Sequence, residues 1–318
     1  MPFIDTPNIC MHYETGGQGR KILLLLHGNF ASWRWWQPAL KHLSGHYRIF
    51  APDMRGCGDS EHPKDGYNIA QHVNDLKQFV DALQLRRLHL VGHSLGGCVA
   101  LEFALAHSAY VKSLTLVAPA PAEGQSVLRK MHGGNGFMAN PDTVRRTFLW
   151  FEVWGLNRKI MDVALNKMIP THTSDIDFKR LVDDAVHMST DAVVGHMRSL
   201  GEWDVRAQLS RLKLPVLVMG GENDHMIAAP GLQNLAANLP NGRAIIWPKV
   251  GHSPQLERPV RFTKILVTFI EMHSASPIKK FRRVITALPR FFSKPAAIWT
   301  KKADPSAPSL RAAAKKFV

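Results

Sequence analysis

Apolar residues recur along this chain with two alternating periods. In Lys21-Ile22-Leu23-Leu24-Leu25-Leu26 every position after the first is apolar. A strand apolar on both faces is one buried under helices in a parallel sheet. Leu88-His89-Leu90-Val91 begins a second such strand over 88–92, and apolar runs mark further strands at 9–13, 47–51, 113–118, 215–220 and 243–247. Between them the period lengthens. Ile69, Val73, Leu76, Phe79, Val80 and Leu83 fall on one face of a helix over 69–83. Helices are also predicted over 33–43, 95–107 and 254–272. Strand alternating with helix predicts an α/β fold, with a mostly parallel central sheet and helices on both faces.

Residues 120–210 interrupt this rhythm. They are helix-rich, separate two strands that should be neighbours, and carry Phe148, Trp150, Phe151, Trp154, Met161, Met168, Met188, Met197 and Trp203. An insertion at this point stands above the strand ends where α/β sheets bind ligands. The segment 120–210 is therefore expected to be a helical cap. Most of its aromatics should form the cap's own core, while Phe151 and Trp154 line a substrate pocket. The core domain is then 1–119 and 211–273, followed by a C-terminal extension over 274–318 that is partly disordered.

Composition narrows the class. The chain is 45% apolar and 20% charged, as in ordinary globular proteins. Cys10, Cys57 and Cys98 are scattered without a C-x-x-C spacing, which argues against a disulfide framework or a zinc site and for a reducing compartment. The start Met1-Pro2-Phe3-Ile4-Asp5 has no basic segment leading into an apolar stretch, so no secretory signal is expected, and no apolar run reaches spanning length. The expected location is the cytoplasm.

The net charge of +15 is unevenly placed: residues 275–318 hold eleven of the 40 Lys and Arg and a single acid, Asp304. Within this extension Ile278, Phe281, Val284, Ile285, Leu288, Phe291 and Phe292 recur at helical spacing, interleaved with Lys279, Lys280, Arg282, Arg283 and Arg290, up to a kink at Pro289. Over 277–302 such a stretch fits an anionic membrane surface, where each cation contributes ~1 kcal/mol. It equally fits a helix packed on the body, and an acidic protein partner such as an acyl-carrier protein stays open. No nucleic-acid partner is expected, because basic residues without a recognition fold are poor evidence for one.

The chemistry begins at Gly92-His93-Ser94-Leu95-Gly96-Gly97, directly after the strand at 88–92. Strand, G-x-S-x-G and helix in that order make an elbow so tight that glycine is needed two positions either side of Ser94. The Leu95 N–H, at the start of the following helix, points to where an oxyanion would form. A serine hydroxyl is protonated at neutral pH and needs a base. Gly251-His252-Ser253-Pro254 follows the last strand and Gly220-Gly221-Glu222-Asn223-Asp224 follows the one before it.

Taken with the His27-Gly28 turn and the loop Asp53-x-Arg55-Gly56-x-Gly58-x-Ser60, these pieces resemble the α/β-hydrolase fold family over roughly residues 1–273, in its serine-nucleophile, esterase-like branch. The resemblance implies Ser94 as nucleophile, His252 as base and Asp224 as the acid that orients it, in the chain order of that fold. The place where some members carry the acid, after the strand that follows the elbow, is Ala118-Pro119 here, which favours Asp224. The resemblance also implies a second oxyanion donor after His27-Gly28, at Asn29 or Phe30, paired with Leu95; the Asn29 amide can add another donor. His93 is expected beside the elbow, packed there or at the edge of the pocket. Asp53, Arg55 and Asp59 are assigned to loop structure. His172, His187 and His196 show no metal-ligand spacing, and no metal or cofactor is expected.

A serine at the elbow does not form the alkyl ester that carboxylate-bearing members use, which leaves acyl transfer. The expected activity is hydrolysis of a carboxylic ester, lactone or thioester of a fairly apolar small molecule. The alternatives are hydrolysis of carbon–carbon bonds in ring-cleavage products with the same triad, and a ligand receptor on the same fold without turnover.

Overall fold

The computed structural model describes residues 2–133, 140–171 and 176–274. The basic stretch 277–302 and His172 lie outside the described residues. Eight strands form one sheet: β1 (Phe3–Asp5), β2 (Cys10–Gly16), β3 (Lys21–Leu26), β4 (Tyr47–Pro52), β5 (Leu88–His93), β6 (Val111–Val117), β7 (Val216–Gly221) and β8 (Gly242–Trp247). Their spatial order is β1-β2-β4-β3-β5-β6-β7-β8. The β1–β2 and β2–β4 pairs are antiparallel and all others are parallel. The sheet is thus mostly parallel, as the alternating pattern predicts, with an antiparallel edge.

Helices α1 (Gln37–Leu43), α2 (Ile69–Ala82), α3 (Leu95–Ala106), α9 (Ala229–Asn238), α10 (Pro254–Glu257) and α11 (Pro259–Ser274) surround the sheet, while α4 (Ser126–His132), α5 (Pro141–Val153), α6 (Leu156–Met168), α7 (Phe178–His187) and α8 (Thr190–Glu202) stand between β6 and β7 in sequence. The expected helix over 254–272 is in fact two, α10 and α11, parted at Arg258. Pro259 follows Arg258, and a proline disfavours helical backbone in the residue before it.

Strand alternation sorts the core into two layers. Leu24 and Leu26 of β3 join Leu90, Leu114, Leu116, Val216 and Val218 on the face covered by α2 and α3. Leu23 and Leu25 join Val91, Val117, Leu217 and Met219 on the face covered by α1 and α11, where Trp36, Trp247 and Phe262 fill the space. Each buried leucine contributes about 1.5–3 kcal/mol through its removal from water. This two-sided burial explains why β3 reads as continuously apolar rather than alternating, and it fixes the register that brings the ends of β3, β5, β7 and β8 together.

Candidate active site

The Ser94 elbow is built by close backbone packing. Ser94 has φ +51° and ψ −118°, in the left-handed half of backbone space that side chains rarely enter. Its N–H donates to the Val117 carbonyl at 2.9 Å, which ties the elbow to β6. A methyl group at Gly92 would stand 2.2 Å from the Gly96 carbonyl oxygen, and one at Gly96 would stand 2.2 Å from the His27 carbonyl oxygen. Only glycine permits that approach, so the two glycines of the motif are steric requirements of the turn. Ser94 itself is half-buried, and Leu95 opens α3 behind it.

Asp224 and His252 come together from separate loops. Gly221, at the end of β7, makes the approach possible: a methyl there would meet the Val250 carbonyl oxygen at 2.0 Å. The Asn223 N–H donates to that same carbonyl at 2.9 Å. His252 Nδ1 lies 2.7 Å from Asp224 Oδ2, with both side chains buried. Asp224 Oδ1 accepts the N–H groups of Met226 at 2.8 Å and Ile227 at 3.0 Å. The carboxylate is therefore fully occupied and fixes the imidazole with its proton on Nδ1. The lone pair on Nε2 follows from that tautomer, and Nε2 is buried without a hydrogen-bond partner. Glu222, the carboxylate two positions before Asp224, is exposed, as is His225.

His93 is buried, only 1% exposed, which leaves it almost no surface for a substrate to touch and places it in the packing rather than at the pocket edge. Its Nε2 donates to the His252 carbonyl at 3.1 Å, and its ring stacks on Trp35 at 5.4 Å between centroids. Burial holds it neutral, well below the usual histidine range, and the neighbouring His252 acts in the same direction. His93 thus braces the elbow against the His252 loop. Gly28 fits beside both: a methyl there would meet His93 Nδ1 at 2.8 Å and Ser94 Cβ at 3.0 Å.

The loop after β3 is set by His27, whose Nδ1 donates to the Gly28 carbonyl at 2.8 Å and whose Nε2 accepts the Met54 N–H at 2.9 Å. Asn29 and Phe30 follow, both half-buried, and Phe30 has φ +57°. Asn29 Oδ1 accepts from His196 Nδ1 at 2.9 Å, an unexpected contact with α8. Phe151 and Trp154, expected at the pocket wall, both set their rings against Trp150 on α5, at 5.6 and 6.2 Å, and Trp154 is 67% exposed.

Glu257 is the other residue that sequence reasoning missed. It is fully buried, and its carboxylate accepts the Gly251 N–H at 2.9 Å, the Ser253 N–H at 3.2 Å and the Thr171 hydroxyl at 2.7 Å. The two N–H groups flank His252. The His252 N–H donates to the Met168 carbonyl at 3.1 Å, so residues at the end of α6 also hold this loop. The only signal for Glu257 in the sequence is a carboxylate five positions after the histidine.

Among the described residues one group of side chains has metal-ligand proximity: His12, Asp53 and Asp59. Its central carboxylate is already committed. Asp53 Oδ1 accepts the Trp33 N–H at 2.7 Å, and Oδ2 accepts the Asp59 N–H at 3.1 Å and lies 2.7 Å from His12 Nδ1. Arg55 makes a buried two-point ion pair with Asp75, at 2.8 and 3.0 Å. Asp53 and Arg55 hold the glycine-rich loop in place, the structural role expected of them.

Residues 21–259 match the family model described as alpha/beta hydrolase fold. The chain belongs to the α/β-hydrolase fold family. It is 28% identical over 277 residues, covering 82% of this chain and 96% of the relative, to a RutD protein of Pseudomonas savastanoi pv. phaseolicola that carries the name of a carbamate hydrolase. It is 27% identical to the pimeloyl-[acyl-carrier protein] methyl ester esterase of Pectobacterium atrosepticum, over 82% of this chain and 98% of that one. In three dimensions it is similar to an esterase from Exiguobacterium antarcticum, with TM-score 0.72 and 22% identity, covering 85% of this chain and 98% of that chain. At that identity the likeness concerns the fold. Among the described residues of this α/β hydrolase, no helix is long and apolar enough to cross a membrane.

Proposed function

We propose that this α/β hydrolase cleaves a carboxylic ester, lactone or thioester of a fairly apolar small molecule through an acyl-enzyme on Ser94. The observation that carries the reading is the oriented imidazole: His252 Nδ1 is held 2.7 Å from Asp224, and Nε2 is buried and uncommitted. His252 takes the Ser94 proton as Oγ attacks the carbonyl, and returns it to the leaving group. The carbonyl oxygen then carries the negative charge and is met by the Leu95 N–H together with an N–H from Asn29 or Phe30. Water attacks the acyl-enzyme by the same route in reverse, so the cycle needs no cofactor. Residues 120–210, containing α4–α8, act as the cap, consistent with the hold that Met168 and Thr171 have on the His252 loop.

The test is hydrolysis of p-nitrophenyl esters together with labelling by a fluorophosphonate. The intact protein is expected to turn over and to label at Ser94, and Ser94→Ala to do neither. Labelling at another residue, or wild-type turnover by Ser94→Ala, rejects the reading.

A further inference from the structure

A chain of three side chains, its two histidines buried, runs from the core helix α2, through α8, to the loop after β3. His72 Nε2 lies 2.9 Å from His196 Nε2, and His196 Nδ1 lies 2.9 Å from Asn29 Oδ1. His196 is fully buried and His72 is 3% exposed. A carbonyl-type oxygen only accepts, so His196 carries its proton on Nδ1 and a lone pair on Nε2. His72 must then donate from Nε2. Each step fixes the next, and the direction of the chain is set from one end to the other.

The elements that carry it are bound to each other. The Ile69 N–H, at the first position of α2, donates to the Ser199 hydroxyl of α8 at 2.9 Å. Gly195 lies so close to Tyr67 that a methyl there would stand 2.4 Å from the tyrosine Cβ, and the Tyr67 ring meets the His196 ring edge-on at 5.3 Å. His196 therefore has little freedom to leave Asn29. Burial also keeps both imidazoles neutral, and the neighbouring His72 and His27 further lower the affinity of His196 for a proton.

We infer that His196, whose Nδ1–H holds Asn29 Oδ1 while its Nε2 accepts from His72, is a positioning residue that turns the Asn29 amide so that its NH2 group, not its carbonyl, faces the reacting carbonyl oxygen at Ser94. An amide is nearly symmetric in shape, and in the opposite orientation Oδ1 would repel a developing oxyanion. The pairing of Oδ1 with His196 removes that orientation and leaves both Nδ2 protons for the site. The inference rests on the reading of Ser94 given above. Because His196 belongs to the segment between β6 and β7, it also makes the seating of α8 a condition for a complete oxyanion site.

The experiment is a double-mutant cycle on p-nitrophenyl butyrate hydrolysis with Asn29→Ala, His196→Leu and the pair, each checked for folding by thermal unfolding. His196→Leu is expected to lower kcat by roughly tenfold or more with KM little changed, as for loss of a transition-state donor. In the Asn29→Ala background the same change is expected to have almost no further effect on kcat. Multiplying effects, or an unchanged kcat in folded His196→Leu, overturn the inference. Should His196→Leu fail to fold, His72→Leu serves in the same cycle, since it frees His196 to take the other tautomer. Ser94→Ala separates the two levels: if it retains turnover, the site reading has failed; if it is inactive while the cycle is multiplicative, only the role of His196 has.

Discussion

Asp224 Oδ2 stands 2.7 Å from His252 Nδ1, while its other oxygen is saturated by two backbone N–H groups. An amide in its place keeps the shape but offers the imidazole an N–H where a proton acceptor is needed, which drives the histidine into the wrong tautomer. If Ser94 acts as proposed, Asp224→Asn is expected to lower kcat by about 10⁴, the loss that follows when the acid of a serine–histidine–aspartate triad is turned into an amide. Steady-state ester hydrolysis measures it. A loss of less than tenfold in a folded variant would remove Asp224 from the proposed triad.

Gly28 tests the packing beside Ser94 without changing Ser94, Asp224 or His252. The methyl of Gly28→Ala would meet His93 Nδ1 at 2.8 Å and Ser94 Cβ at 3.0 Å, so one of the two must shift. The variant is expected to fold and to hydrolyse ester more slowly, because sub-ångström displacement of a nucleophile is costly. Gly92→Ala and Gly96→Ala meet backbone oxygens that have no room to retreat, and are expected to lose stability by several kcal/mol. Thermal unfolding of the three variants side by side distinguishes the cases.

Glu257 holds the loop on both sides of His252. Its removal strands the buried N–H groups of Gly251 and Ser253, at a cost of about 1–3 kcal/mol each. Glu257→Ala is expected to lower both the urea midpoint and kcat. Glu257→Gln, which keeps one acceptor oxygen, should lie between it and the wild type. Equal midpoints for all three proteins would contradict the role.

Acid should destabilise the fold before carboxylates protonate. Burial lowers the pKa of His72 to about 4 and that of His89 to about 4, and it depresses His93 and His196 in the same direction. A histidine in the unfolded chain takes up a proton near pH 6.5, whereas these stay neutral in the folded protein. Between pH 6.5 and about 4 the unfolded state therefore binds more protons, and stability falls as pH falls. The slope is about 1.4 kcal/mol per pH unit for each such histidine. Unfolding temperatures at pH 7.5, 6.5, 5.5 and 5.0 should be level at first and then drop. A flat profile down to pH 5 would show that these rings protonate without unfolding.

The strands were legible because burial on both faces leaves a local mark: β3, Lys21–Leu26, ends where its apolar run does and begins one residue before it. The short edge strand β1 left no such mark, with two of its three residues exposed, and α9 likewise went unread. The elbow was readable because its glycines are a covalent neighbour's requirement, imposed on Ser94 from two residues away. His196 was not. It lies 167 positions from Asn29, and nothing near it in the chain distinguishes a histidine that bonds an amide from one that fills a core.

By itself the amino-acid sequence determined the alternation of strand and helix and the family, and set the expectation of serine, aspartate and histidine in that order, since each is written in short-range pattern and spacing. Tertiary structure alone decided that Asp224 meets His252 with one tautomer imposed, that His93 is buried as a brace, and that Glu257 and His196 hold the two loops that flank Ser94. Most of those facts depend on hydrogen bonds between segments far apart in the chain, and only the packed fold brings such donors and acceptors within hydrogen-bonding distance of one another.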